Sequence, residues 1–170
     1  TIELFNVEYW EVKGIEITNY AQTYTQEGTG RNGIAIIHDY YEIQGMETLP
    51  SGDQALEENF YRAGKLQHVV VNDCYIHDVT GYHPGSGASG RGGKMSGGIN
   101  AYGPYDDLKL DNNIIMYCDV EGIRNDVLAW RGDTRTQFPC YMEGVSISNN
   151  FIVGVPGDGV VISSAIEPKL

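Results

Sequence analysis

A six-residue block recurs four times along the chain, as Gly14-Ile15-Glu16-Ile17-Thr18-Asn19, His68-Val69-Val70-Val71-Asn72-Asp73, Asp107-Leu108-Lys109-Leu110-Asp111-Asn112 and Gly144-Val145-Ser146-Ile147-Ser148-Asn149. Each block has two apolar residues in alternation and closes on Asn or Asp. A second signature follows each block, at Gly33-Ile34, Gly98-Ile99, Gly122-Ile123 and Gly159-Val160. Self-similarity of this kind marks a stack of repeated units rather than a single irregular core.

The spacing defines the unit. The shortest step from anchor to Gly is 10 residues, seen from 112 to 122 and from 149 to 159, and the shortest return is 14, from 98 to 112. One minimal turn therefore takes 24 residues, and everything longer is inserted loop. Side chains two apart on a strand share a face, so Ile15/Ile17, Val69/Val71, Leu108/Leu110 and Val145/Ile147 are expected to stack inside. Ile76, Ile115 and Ile152 add a further inward position, with Tyr75, Ile114 and Phe151 just ahead of them. The anchors Asn19, Asp73, Asn112 and Asn149 are expected to form a polar ladder at one corner. The expected fold is all-β: a right-handed parallel β-helix of about four coils across residues 1–170, with insertions at 40–66, 82–97 and 128–142. An antiparallel sandwich would also use 22 Gly and many short strands, but it gives no reason for one anchor to recur at one place.

Adding the 14-residue return to Gly159 puts the next anchor near position 173, past Leu170, so the chain is expected to join the remaining coils of a longer parent. Composition narrows the partners. A net charge of −12 opposes binding to a phosphate backbone, so nucleic acid is not expected. No apolar run approaches the ~20 residues of a membrane span. The three cysteines at 74, 118 and 140 have no C-x-x-C pairing, and Cys74 and Cys118 read as buried residues.

The insertions could frame a site. Residues 51–62 read as a short capped helix, and Trp130, Arg131, Arg135 and Phe138 fall in the 128–142 insertion. The Gly-rich stretch from Gly81 to Gly98 lacks the phosphate-loop spacing, because Ala88 and Met95 stand where a Gly and a Ser or Thr are needed. It reads as a wall over a groove, with Arg91 and Lys94 as contacts for an acidic sugar and Trp130 shaping the sugar groove.

The residues just before each second-signature Gly are Asn32, Gly97, Glu121 and Asp158, which sets two carboxylates on neighbouring rungs. Parallel strands lie about 4.8 Å apart, and a retaining glycosidase needs two carboxyl groups about 5–5.5 Å apart. Asp158 and Glu121 are therefore the candidate acid pair, with Asp126 a third acid. Arg124 would face whatever Glu121 faces, to hold a substrate carboxylate or to lower an acid's pKa. Each of these also has a plain reading as a corner or surface group.

His77 beside Asp78 could titrate near neutrality and contact substrate, or simply bond a corner. The stretches Ile76-His77-Asp78-Val79-Thr80-Gly81 and Tyr117-Cys118-Asp119-Val120-Glu121-Gly122 echo each other and pair Thr80 with Glu121. No spacing makes a transition-metal site, so no cofactor is expected, although corner carboxylates are compatible with Ca2+.

The run Asn6-Val7-Glu8-Tyr9-Trp10-Glu11-Val12-Lys13-Gly14-Ile15-Glu16-Ile17-Thr18-Asn19 resembles a motif near the first coils of bacterial right-handed parallel β-helix proteins of the pectin-lyase-like superfamily. Tyr75-Ile76-His77-Asp78-Val79-Thr80-Gly81, Ser96-Gly97-Gly98-Ile99 and Gly157-Asp158-Gly159-Val160-Val161 extend the resemblance over nearly the whole chain. It implies carbohydrate activity, as a glycoside hydrolase, a polysaccharide lyase acting on uronates, or a glycan-binding protein without activity. It also implies a polysaccharide or oligosaccharide substrate and a secreted or periplasmic setting, and it singles out Asp158. The polygalacturonase pattern of Asn-Thr-Asp, Asp-Asp, Gly-His-Gly and Arg-Ile-Lys is absent apart from Asp106-Asp107, which would precede a strand.

Overall fold

The computed structural model describes residues 1–20, 31–38, 65–81, 96–103, 105–126, 142–162 and 168–170. Every element among them is a strand: β1 (Ile2–Phe5), β2 (Trp10–Lys13), β3 (Glu16–Asn19), β4 (Asn32–Ile37), β5 (Leu66–Asn72), β6 (Tyr75–Val79), β7 (Gly97–Tyr102), β8 (Tyr105–Asp111), β9 (Ile114–Met116), β10 (Glu121–Asp126), β11 (Phe151–Val153) and β12 (Val160–Ile162). They form three sheets, ordered β1-β4-β7-β10-β12, β2-β5-β8 and β3-β6-β9-β11. From β1 to β10 the chain visits the sheets in rotation and returns to each one strand further along, and β11 and β12 then extend the third and the first. Every strand pair is parallel, which rules out the antiparallel sandwich.

The Gly-Ile signature is in register throughout: Ile34 pairs with Ile99, Ile99 with Ile123 and Ile123 with Val160. A close approach explains its first three glycines, Gly33, Gly98 and Gly122. A Cβ on Gly98 would lie 2.6 Å from the Ile115 side chain and 2.7 Å from the Gly122 carbonyl, and one on Gly122 would meet Ile152 and Gly159 in the same way. The five-stranded sheet thus starts where the Ile76, Ile115 and Ile152 column leaves no room for a side chain.

The inward columns are aliphatic, as alternation requires. Ile34, Ile36, Val69, Val71, Ile76, Ile99, Leu108, Leu110, Ile115 and Ile123 are all fully buried in one cluster. Tyr75, Ile114 and Phe151 are exposed on the outer face of their sheet.

The first block is shifted. Trp10 and Val12 pair with Val69 and Val71, and Lys13 pairs with Asn72, so Gly14 and not Asn19 stands level with Asp73. Gly14, Asp73, Asn112 and Asn149 all hold φ between +55° and +65°, a left-handed turn that Gly, Asn and Asp adopt most readily. Ile15 is exposed, and Ile17 joins Ile76, Ile115 and Ile152 in another sheet.

The corner ladder is also one residue later than expected. Asn113 accepts a hydrogen bond from the Cys74 amide at 3.0 Å and donates to the Val71 carbonyl at 3.1 Å. Asn150 repeats this one rung on, accepting from the Asn113 amide and donating to the Leu110 carbonyl. The anchor residues are the turn, and the residue after each is the ladder. Asp106 and Asp107 lie within β8 rather than ahead of it.

Candidate functional site

Buried polar side chains locate the site, because burying such groups has a cost that structure alone seldom requires. Among the described residues these are His38, Ser96, Asn100, Asn113, Glu121, Arg124 and Asn125. Asn113 belongs to the corner ladder. The other six lie on or beside the five-stranded sheet, which no other sheet matches.

Within that sheet, Asn100 donates a short hydrogen bond to the Asn32 side chain one strand away, and Arg124 pairs in register with Asn100 on the next strand. The Arg124 guanidinium contacts Glu121 Oε1 at 2.7 Å, with both side chains nearly out of solvent. Arg124 therefore faces the same environment as Glu121, as expected, but buried rather than solvated. A guanidinium at this distance favours the ionised form of a carboxyl group.

Directly ahead of Glu121 the backbone is strained. Val120 holds φ +76°, a region that β-branched residues avoid at a cost of order 1–3 kcal/mol. The turn is locked by crowding, since a Cβ on Gly157 would collide with the Val120 carbonyl. Strain of this kind gathers where a neighbouring group must be aimed.

Asp158 sits between Gly157 and Gly159 on the following rung. The Gly122 amide donates to the Asp158 carbonyl at 3.0 Å, and Ile123 pairs with Val160, which sets Asp158 level with Glu121. Asp158 is exposed where Glu121 is buried. The first half of the expected pair is thus packed against Arg124, and the second stands open to solvent beside it.

Asp126 closes β10 and pairs with Tyr102. The expectation that Thr80 matches Glu121 fails by two residues: Ile76 pairs with Ile115 and the Asp119 amide donates to the Val79 carbonyl, which sets Thr80 level with Asp119, while Glu121 pairs with Gly97. Lys94, Arg91 and Trp130 lie outside the described residues, as do Arg131, Arg135, Phe138, Cys140, the helix expected over 51–62 and most of the three insertions.

His77 is not part of this constellation. It lies on β6, in another sheet, with Nδ1 at 2.7 Å from Asp78 and Nε2 at 3.0 Å from Glu16, its ring stacked on Tyr75. Hydrogen bonds to Asp78 and then Glu16 raise its pKa. A second such arrangement escaped the sequence reading. His68 Nδ1 lies 2.6 Å from Asp107 and Nε2 3.5 Å from Glu11, which raises its pKa through the same kind of bonds, Asp107 first. Lys109, 2.7 Å from Asp107, and His68 together lower the Asp107 pKa. The signal available was the shared block position of His68 and Asp107.

Cys74 and Cys118 are buried free thiols. Burial pushes Cys118 up to about 11, which removes it as a nucleophile. No group of three His, Cys, Asp or Glu among the described residues is placed to hold a metal ion. No helix among them is long and apolar enough to cross a membrane. Compared by family, by curated sequence and by solved structure, the chain finds no match.

Proposed function

We propose that the chain forms about four coils of a right-handed parallel β-helix and acts on carbohydrate, as a glycoside hydrolase using Glu121 and Asp158. Rotation of the chain through three parallel sheets from β1 to β10 supports the first part. The observation that carries the second is Asp158 standing level with Glu121 on the adjacent rung. Adjacent strands at about 4.8 Å bring such groups near the ~5–5.5 Å separation of a retaining pair.

The environments suggest the division of labour. Glu121, held as a carboxylate by Arg124 and aimed by the strained Val120, serves as nucleophile. Its Oε forms a bond to the anomeric carbon as the glycosidic C–O bond breaks, and Asp158 gives its proton to the departing oxygen. Water then attacks the glycosyl-enzyme with Asp158 as base, which restores both acids. The substrate class is a plant or host polysaccharide or oligosaccharide, in a secreted or periplasmic setting.

A non-catalytic reading, in which the protein binds glycan without turnover, is supported to the extent that the Glu121–Arg124 pair is nearly out of solvent and serves to hold the strand. The experiment is turnover of a glycan panel with product analysis. Asp158→Asn should abolish hydrolysis while leaving Tm unchanged, and full retained activity would remove Asp158 from the mechanism. Affinity without turnover in the native protein would assign the binding role, and products with the absorbance of an unsaturated uronate would assign a lyase.

A further inference from the structure

Two histidines each stand between two carboxylates, and in both cases one of the acids comes from the first strands of the chain. His68 lies between Asp107 of β8 at 2.6 Å and Glu11 of β2 at 3.5 Å. His77 lies between Asp78 of β6 at 2.7 Å and Glu16 of β3 at 3.0 Å. In each, both ring nitrogens meet an acceptor. A neutral imidazole has one N–H and cannot donate to both, whereas imidazolium can.

We propose that protonated His68 and His77 latch β2 and β3 onto the strands behind them, and that the latch opens when rising pH removes the second ring proton. The distances decide which bond survives deprotonation. The single remaining proton stays with the nearer acid, Asp107 or Asp78, and the ring lone pair is turned to Glu11 or Glu16. Both released acids belong to β2 and β3, so the loosening is local to them. Among the described residues these strands are the sheet-edge partners of β5 and β6, with a neighbouring strand on one side.

The surrounding charges do not offset the effect. His68 faces Glu11 from β2 and Asp107 and Lys109 from β8, and Lys109 is itself engaged by Asp107 at 2.7 Å. His77 faces Glu16 from β3 and Asp78 from its own strand, while its partner on β9 is the uncharged Met116. Among the described residues Lys13 also lies 3.6 Å from Asp73 across this boundary, with both side chains largely exposed. Both histidines have raised pKa values in the folded chain. Their contribution is complete below the unfolded value near 6.5 and is lost as pH climbs through the folded value.

Amide hydrogen exchange, corrected for its intrinsic pH dependence, tests this at roughly pH 5.5 and 8.5, on either side of free imidazole. Protection of β2 and β3 should fall by at least about threefold at the higher pH while β8 and β9 keep theirs. In the His68→Gln/His77→Gln variant, β2 and β3 should show the same protection at both pH values. Equal protection of β2 and β3 at both pH values in the native protein overturns the latch, as does a loss spread evenly over β8 and β9, or an unchanged pH dependence in the variant. Ring-proton NMR titration of the native protein decides independently of whether the variant folds: midpoints above that of free histidine support the latch, and midpoints at or below it sink the proposal.

Discussion

Asn112 and Asn113 show how two identical neighbours acquire opposite tasks. Asn112 holds φ +57° and makes the turn, while Asn113 is fully buried and its amide bonds the Cys74 amide, the Val71 carbonyl and Asn150. Asn113→Ala leaves a backbone donor and acceptor buried without partners, a loss of about 2–3 kcal/mol. Asn112→Gly keeps the left-handed turn at little cost. Urea unfolding should therefore show a much lower midpoint for Asn113→Ala than for Asn112→Gly, with similar slopes. The sequence displays both pairs, Asn112-Asn113 and Asn149-Asn150, but not which member turns inward. That depends on a backbone angle which Asn, Asp and Gly satisfy equally well, and the same equivalence hid Gly14 behind Asn19.

At the scale of elements, what could be read in advance was what close packing dictates. The Gly-Ile steps, the Ile76, Ile115 and Ile152 column and the level placement of Glu121 and Asp158 all follow from one crowded seam between two sheets. At Gly33, Gly98 and Gly122 only Gly fits, so there the pattern has no synonym. The first block slipped because Trp10/Val12 and Ile15/Ile17 offer the same alternation on either side of Gly14, and a period of two does not distinguish them. Only half of the His68 clamp was legible: His68 and Asp107 open their blocks at the same place, whereas Glu11 lies ahead of the first block, where the slipped register hid it. The seam makes a direct prediction. Gly98→Ala drives a methyl group to 2.6 Å from Ile115 and 2.7 Å from a carbonyl, where overpacking costs about 1–3 kcal/mol. Gly159→Ala, with nothing within 4 Å of the added Cβ, should leave the thermal midpoint nearly unchanged. Equal losses at the two glycines would mean that the seam is not where the sheets close upon each other.

Across the whole molecule, stability should be graded along the stack rather than uniform. Each inner strand is buried by the strands on its two sides, and among the described residues β3 and β11 are the edges of the sheet that carries Ile17, Ile76, Ile115 and Ile152. Ile76 and Ile115 are fully buried between neighbours, whereas Ile152 on the edge strand is only partly buried. The same truncation thus removes different amounts of packing depending only on rung. Ile115→Ala should cost about 3 kcal/mol, within the usual range for a buried isoleucine, and Ile152→Ala about half of that. Ile17→Ala, also on an edge, should fall between them. The order follows from nearest-neighbour stacking, in which an inner position supports two interfaces and an edge position one. Chemical denaturation of the three variants provides the comparison. Equal losses at Ile115 and Ile152 would mean that the rungs melt as one unit with no memory of their place in the stack.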